Sequence, residues 1–309
     1  MLTQKIEFPN FTWINYENPA ESEIKSLARK YKFHPLNVAD CISTNQRTKV
    51  ESYPGYLFFV LLFPYYVSDT REIKSAEINA FIGKGFLITI NHGELKIFND
   101  FFTTLKNADN LPQLYPDKSP ERLFYEICNK LFMYCFPMID HLIVDCNNIE
   151  KAIFAGQERK MVSEILIIRR NITDFRKIMQ VHKNVLKKAV NAFKNNPNFV
   201  IKKTDDYFES LIDFAKEIWD AMDNLKERIE AIQQTNESQI SFQLSDIMRI
   251  LTIISVLIFP ITLISSIFGM NMVHSMPFIN SIYGFWYVLG IMLVVVFIML
   301  GIFKKKNWL

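Results

Sequence analysis

Hydroxyl and apolar side chains share one face of a long apolar segment near the C-terminal end of the sequence. The members of this set step by three and four residues, so a helix would place them on a single face. We call them the pore stripe: Met248, Leu251, Ser255, Phe259, Thr262 and Ser266. If several copies surrounded one axis, the hydroxyls would form rings of oxygen atoms, and the apolar members would form rings that could close a pore by dewetting. The alternative is that each hydroxyl only bonds its own backbone carbonyl one turn back.

Asn271 ends the tripeptide Gly269-Met270-Asn271, which begins three residues after Ser266, the last member of the pore stripe. A small, hard and strongly hydrated cation prefers oxygen ligands and gives up its water reluctantly. A ring of neutral amide oxygens could accept hydrogen bonds from the coordinated waters without stripping them, whereas a ring of carboxylates would hold the ion too tightly. We expect Gly269 to permit a tight backbone turn beside Asn271. The alternative role for Asn271 is that of a helix cap.

The elements that must position these residues lie in a segment, 250–303, that contains no Asp, Glu, Lys or Arg. A helix rises ~1.5 Å per residue, so a hydrocarbon core of ~30 Å needs about 20 apolar residues. The segment therefore predicts two membrane helices, at about 250–268 and 285–303, joined by a loop at 269–284. A buried hairpin in a soluble protein is the alternative, but globular cores rarely need two uninterrupted apolar helices of this length.

Positive charges flank the two predicted spans on one side only. Arg249 precedes the first span, three lysines lie in the tail 304–309, and the loop has neither Lys nor Arg. The positive-inside rule then predicts a multi-pass protein of the cytoplasmic membrane with both termini in the cytoplasm. Residues 1–10 lack the apolar core of a signal peptide, which agrees with a cytosolic N-terminal part.

Residues 1–118 show the mixed pattern of an α/β unit with a central sheet. The continuous apolar run 56–63 predicts a strand buried on both faces. Segments 76–82 and 86–91 flank Gly83-Lys84-Gly85 and predict a hairpin. Further predicted elements are a strand at 11–16 and helices at 19–31 and 34–41.

Residues 119–245 predict long helices. Ser119-Pro120-Glu121 is a helix start signal, and the pattern continues to 153 with a pause at Pro137. A second helix is predicted from 162 to about 193. A third begins at Asp205, has an amphipathic stripe, and would continue through the first span. Such a long helix is stable only when packed against partners, so we expect an oligomer, most simply a ring. The predicted fold class is an α+β membrane protein, with 246–309 as its membrane part.

The composition offers no support for an enzyme or a nucleic-acid-binding protein. The net charge is +3, and the four cysteines and five histidines show no metal-binding spacing. Phosphate-binding glycine loops and the nucleophile motif G-x-S-x-G are missing from the sequence. Asp40 with His34, or Asp140 with His141, could pair, but no nucleophile or metal cluster accompanies them.

The tripeptide Gly269-Met270-Asn271, at the end of the first of two C-terminal membrane helices, resembles the signature of the CorA divalent-cation transporters. The resemblance covers essentially the whole chain in order. It extends to Asp246-Ile247-Met248-Arg249-Ile250, Phe259-Pro260-Ile261-Thr262, the closing Lys-Lys-Lys-x-Trp-Leu, His34-Pro35-Leu36 with Asp40, Gln46-Arg47-Thr48-Lys49-Val50-Glu51 and Tyr56-Leu57-Phe58.

The resemblance implies a homopentamer in which the first span lines a pore and the second faces lipid. The transported ions would be Mg2+, often with Co2+ and Ni2+, while a related branch that generally carries another tripeptide moves Zn2+. Two charges at ~2.3 kcal/mol per 100 mV give an inward pull of roughly 4.6 kcal/mol, so transport driven by the membrane potential needs no ATP. The alternatives are a Zn2+ or Co2+ transporter of the same fold, or a membrane-anchored helical sensor without transport.

The resemblance also implies closure of the pore by cytosolic Mg2+ bound between subunits, through acids on the long helix and the α/β domain. This chain has Gln234 where we align the acid of the long helix. The candidate sensor ligands are Asp69, Glu72, Glu230, Glu237 and Asp246. The outer loop departs from many members as well, because Met276-Pro277 is followed by Phe278 and the loop is uncharged. His274 in that loop could bind softer metals; the alternative is that it is only a solvent-exposed polar residue.

Overall fold

The computed structural model describes residues 2–43, 46–107, 119–196, 199, 204–270, 277–278, 281–306 and 308. The chain divides into two compact units, Met1–Gln234 and Thr235–Leu309. The strands are β1 (Leu2–Glu7), β2 (Thr12–Glu17), β3 (Lys49–Tyr53), β4 (Tyr56–Val67), β5 (Glu72–Gly83) and β6 (Phe86–Asn91). The helices are α1 (Glu21–Tyr31), α2 (Pro35–Ile42), α3 (Lys96–Lys106), α4 (Pro120–Phe154), α5 (Glu158–Met179), α6 (His182–Asn195), α7 (Thr204–Phe268) and α8 (Gly284–Lys305).

The first unit contains a six-stranded sheet in the order β1-β2-β6-β5-β4-β3. Its neighbouring strands are antiparallel except for β2 and β6, which run parallel from Thr12 opposite Phe86. The predicted hairpin is confirmed, and its strands pair from Gly83 opposite Phe86. Gly85 has φ +85°, a conformation that favours glycine, which explains the turn signal at this position.

Helices cover both faces of the sheet, so β4 is buried on both sides, as its apolar run predicts. Leu57, Phe59 and Leu61 belong to a large core with α3, α4, α5, α6 and the first part of α7. Phe58 and Val60 point the other way, into a smaller core with α1 and α2. The alternation of side chains along a strand explains this split.

The prediction of one helix from 162 to about 193 is wrong. The structure has α5 ending at Met179 and α6 starting at His182. His182 is fully buried, with its ring 5.1 Å from that of Phe63 and 5.7 Å from that of Phe132. Burial of this side chain against the sheet accompanies the break, and no Gly or Pro marks it in the sequence. The pause predicted at Pro137 is also not a break, because α4 runs through it.

The upstream residues that carried the family resemblance form a polar network that joins α2 to β3 and β4. Lys49 Nζ lies 2.7 Å from Asp40 Oδ2 and 2.8 Å from Glu51 Oε1. The amide of Asn37, which is fully buried, donates to Glu51 Oε2 at 2.9 Å. His34 Nδ1 accepts from the Leu36 backbone at 3.3 Å, so it caps α2. Asp40 and His34 therefore have structural partners, and the structure does not assemble them as a catalytic pair.

Candidate functional site

The pore stripe lies on one continuous helix, α7, as its spacing predicts. Its apolar members are open to solvent within this single chain. Met248 is 53% exposed, Leu251 54% and Phe259 73%. Large exposed apolar surfaces mark contacts with other proteins or with lipid, because leaving them in water is unfavourable. The stripe thus lies on a surface that a single copy leaves uncovered.

Hydroxyl groups along α7 donate to backbone carbonyls one turn back. Ser255 Oγ lies 2.9 Å from Leu251 O, and Thr262 Oγ1 lies 3.0 Å from Ile258 O. Thr252, which is outside the pore stripe, makes the same bond to Met248 O at 2.7 Å. For Ser255 and Thr262, these are the backbone bonds that the alternative role of the hydroxyls predicts. They do not remove the chemistry, because a hydroxyl that has donated its proton still accepts hydrogen bonds, and waters bound to a cation are donors.

The end of α7 positions the tripeptide. Gly269 N bonds Ser265 O at 2.8 Å, and Met270 N bonds Ile267 O at 3.3 Å. Asn271, His274 and Met276 lie outside the described residues. Gly269 does not have the positive φ that the structure gives to Gly85, Gly93 and Gly156 among the described residues. Glycine leaves room for the backbone here, since a Cβ atom at this position would lie 3.1 Å from Ser265 O.

A close approach at the start of α8 fixes the other end of the loop. A Cβ atom on Gly284 would lie only 2.3 Å from the carbonyl oxygen of Phe278, so only glycine fits. Ser281 N bonds the same oxygen at 3.1 Å, and the rings of Phe278 and Tyr287 lie 5.5 Å apart. The sequence marks Gly284 as a turn residue, but it gives no signal for this contact between residues six apart.

Three of the candidate sensor acids already have basic partners in their own chain. Glu72 lies 2.9 Å from Arg170 on α5 and 3.6 Å from Lys74. The remaining pairs are Glu230 with Lys226 at 3.7 Å and Asp246 with Arg249 at 3.2 Å. These pairs place a positive charge beside each carboxylate.

Two further candidate acids, Asp69 in the turn between β4 and β5 and Glu237 on α7, have exposed side chains. Within the described part of the chain, no three His, Cys, Asp or Glu residues come together in a group that could hold a metal. One copy alone therefore does not assemble a metal-binding cluster from the described residues.

Three helices among the described residues are long and apolar enough to cross a membrane. They differ in how much of the apolar window their own chain buries: 44% in Pro120–Phe154, 6% in Asp206–Phe268 and 0% in Gly284–Lys305. The apolar side chains of α4 are part of the core of the first unit. The apolar windows of α7 and α8 have no such cover from their own chain.

A family model described as "CorA-like Mg2+ transporter protein" matches residues 9–305. The chain belongs to the CorA family. Members of the CorA family are membrane transporters of divalent cations and not enzymes, which confirms the reading of the sequence on both points.

Sequences of related proteins align with nearly the whole of this chain. The cobalt/magnesium transport protein CorA of Thermotoga maritima is 25% identical over 96% of this chain and 83% of its own length. The magnesium transport protein CorA of Campylobacter jejuni is 28% identical over 100% of this chain and 97% of its own length. The solved CorA magnesium transporter of Methanocaldococcus jannaschii has a TM-score of 0.84 at 21% identity, covering 98% of this chain and 94% of that structure. This likeness confirms the CorA fold, with an α/β soluble domain and a long helix.

Proposed function

We propose that this chain forms a channel-like pore that carries Mg2+ across the cytoplasmic membrane under the membrane potential, with Co2+ and Ni2+ as further cargo. The observation that carries the proposal is the pore stripe, an uncovered face of α7 with hydroxyl oxygens that can accept hydrogen bonds. The names of the relatives, which specify magnesium or cobalt and magnesium, support the choice of ion.

The proposed membrane part, 246–309, contains two spans, at about 250–268 on α7 and 285–303 on α8. Support comes from the low burial of both apolar windows and from the absence of charged residues between 250 and 303. The helix α4 is assigned to the cytosolic part 119–245, because its apolar side chains already pack against the sheet. The α/β domain occupies 1–118, and both termini are cytoplasmic.

Several copies are needed to turn one stripe into a pore, and we propose a homopentamer. Around a central axis, Thr262 and Ser266 would supply oxygen rings near the outer end of the first span, and Met248 and Leu251 would supply apolar rings at its inner end. Asn271 would complete the outer end as a ring of amide oxygens that hold the hydrated ion. Chemical crosslinking in membranes tests the assembly, since a ladder that ends at five subunits is expected.

Transport itself is tested in proteoliposomes at an inside-negative potential, with Mg2+, Co2+, Ni2+ and Zn2+ supplied separately. Entry of Mg2+ that grows with the potential is expected. Entry of Zn2+ or Co2+ without Mg2+ would support the alternative of a Zn2+ or Co2+ transporter with the same fold. If no ion entered, the anchored-sensor alternative would replace the transport proposal.

We also propose that cytosolic Mg2+ closes the pore, through carboxylates that meet between copies. Glu72, Glu230 and Asp246 are paired with basic residues in one chain, so Mg2+ would have to displace those partners. Asp69 and Glu237 are exposed acids that could join them. Millimolar Mg2+ should then slow proteolysis of the cytosolic part, and equal cleavage with and without Mg2+ would contradict closure by this route.

A further inference from the structure

A cavity of about 470 Å3 opens between the turn at the end of β4, helix α4 and helix α5. Its volume falls in the range of small-molecule sites, ~300–1,000 Å3. The floor is apolar and comes from three elements of the first unit: Ile73, Met138, Leu142, Ile167 and Ile168. Nothing in the proposed transport of ions uses this cavity.

Hydrogen bonds to α5 hold the wall of the cavity that the β4–β5 turn forms. The Arg71 guanidinium makes two bonds to the Glu164 carboxylate, at 3.0 and 2.7 Å. The Asn171 amide accepts from Ile73 N at 3.2 Å and donates to Arg71 O at 2.9 Å. The Arg71 guanidinium is therefore engaged, and an anionic ligand would have to compete with Glu164 for it.

The carboxylate of Asp145, which also lines the cavity, lacks such a partner. Its carboxylate is half-buried beside the apolar floor, and it makes no hydrogen bond or ion pair with any residue that the structure describes. Burial raises the pKa of Asp145, although the nearby Arg71 and His141 act in the opposite direction. Partial burial of an unpaired charge is unfavourable, so an incoming positive charge would be stabilised here.

Two aromatic rings lie in the same cavity, those of Tyr66 and Tyr134. An aromatic face attracts a cation, and a tyrosine ring also packs well against an apolar body. A divalent metal would need several oxygen ligands, and the described lining provides one carboxylate next to two basic side chains. The lining thus favours a single positive charge attached to an apolar group.

We propose that this cavity binds a small organic cation, a protonated amine that pairs with Asp145 while its apolar or aromatic body lies against the isoleucine-rich floor. The site is in the first unit and involves α4, α5 and the β4–β5 turn. Because the turn also carries Asp69 and precedes Glu72, occupancy of the cavity would act on the segment that holds two of the proposed sensor acids.

The test uses the full-length protein in a non-ionic detergent and two probes of the same shape. Phenethylamine carries the positive charge, and 2-phenylethanol is its neutral counterpart. Isothermal titration should show binding of the amine, with the alcohol at least about tenfold weaker, a difference of ~1.4 kcal/mol. Asp145→Asn should lower the affinity for the amine by about tenfold or more. Asp140→Asn, an exposed acid on the same helix, should leave it unchanged.

A second variant tests the site independently, in case the Asp145→Asn protein does not fold. Leu142→Trp should fill the cavity and abolish binding of both probes while the protein still elutes as an assembled oligomer. Equal affinity of wild type and Asp145→Asn for the amine would overturn the proposal. So would binding of the alcohol as tight as that of the amine, or the absence of any heat of binding with folded wild-type protein.

Discussion

The hydroxyl of Thr262 donates to the carbonyl oxygen of Ile258 across 3.0 Å, so its proton is committed to the helix and its oxygen remains an acceptor. If this oxygen contacts the waters of a passing ion, Thr262→Val should reduce Mg2+ flux while leaving the helix intact. A hydrogen bond is worth ~0.5–1.5 kcal/mol, so loss of even one per pore predicts a reduction of up to about tenfold. Mg2+ uptake into proteoliposomes measures this reduction in flux.

Thr252→Val is the matched control for this experiment. Thr252 makes the same backbone bond, to Met248 O at 2.7 Å, but it is not part of the pore stripe. Its removal should leave the flux near that of wild type. Equal losses in the two variants would show that the hydroxyls matter only to the helix.

A substitution at Leu251 tests the proposed closure of the pore by apolar rings. A serine at this position would make the ring easier to wet, so Leu251→Ser should raise the Mg2+ leak measured at high internal Mg2+. Ile250→Ser is the control, because Ile250 is similarly exposed, at 56% against 54% for Leu251, but lies off the stripe. A leak that is the same in both variants would argue against a gate at Leu251.

Asn37 tests the polar network that carries the upstream part of the family pattern. Its amide donates to Glu51 and its oxygen accepts from Tyr56, and the side chain is fully buried. Asn37→Ala should lower the free energy of unfolding by ~1–3 kcal/mol, because Glu51 and Tyr56 would lose a buried partner. Denaturant unfolding of the full-length protein should show this, with the exposed Asn184→Ala as an unchanged control. A loss of transport without a loss of stability would contradict a structural role.

His182 should make the stability of the first unit, Met1–Gln234, depend on pH. Burial lowers its pKa to about 4, whereas a histidine in the unfolded chain titrates near 6.5. The unfolded chain binds the proton first, so this contribution to stability is complete above about pH 6.5 and is lost as the pH falls towards 4. The full effect is on the order of 3 kcal/mol.

His182→Phe should remove this part of the acid sensitivity, since a phenyl ring can lie between Phe63 and Phe132 without titrating. Urea midpoints measured from pH 7 to pH 4.5 for both proteins provide the comparison. Parallel curves for wild type and variant would show that His182 does not titrate on unfolding.

Much of the fold follows from local signals. The apolar run within β4 predicts burial on both faces, Gly85 marks the turn between β5 and β6, and Pro120 marks the start of α4. Other elements carry weaker signals. Strands β1 and β3 and helix α3 were not predicted, and the break before His182 accompanies burial against the sheet, which no local pattern shows.

The candidate site also combines features that the sequence predicts with contacts that it does not. The pore stripe could be predicted because its period is that of one helix, and α7 keeps that period through Phe268. The partner of Glu72 could not, because Arg170 is distant in the sequence and only the tertiary fold brings it to 2.9 Å. The contact between Gly284 and Phe278 was hidden for a related reason, since a turn signal does not specify which carbonyl will come close.

The most direct test of a pore with Asn271 as its filter is Mg2+ uptake into proteoliposomes at an inside-negative potential, with Asn271→Ala compared with wild type. Asn280→Ala, which removes the same side chain elsewhere in the outer loop, is the matched control. We predict potential-driven entry in wild type and Asn280→Ala and its loss in Asn271→Ala. Undiminished, equally selective entry in Asn271→Ala would contradict the role of Asn271 as the filter.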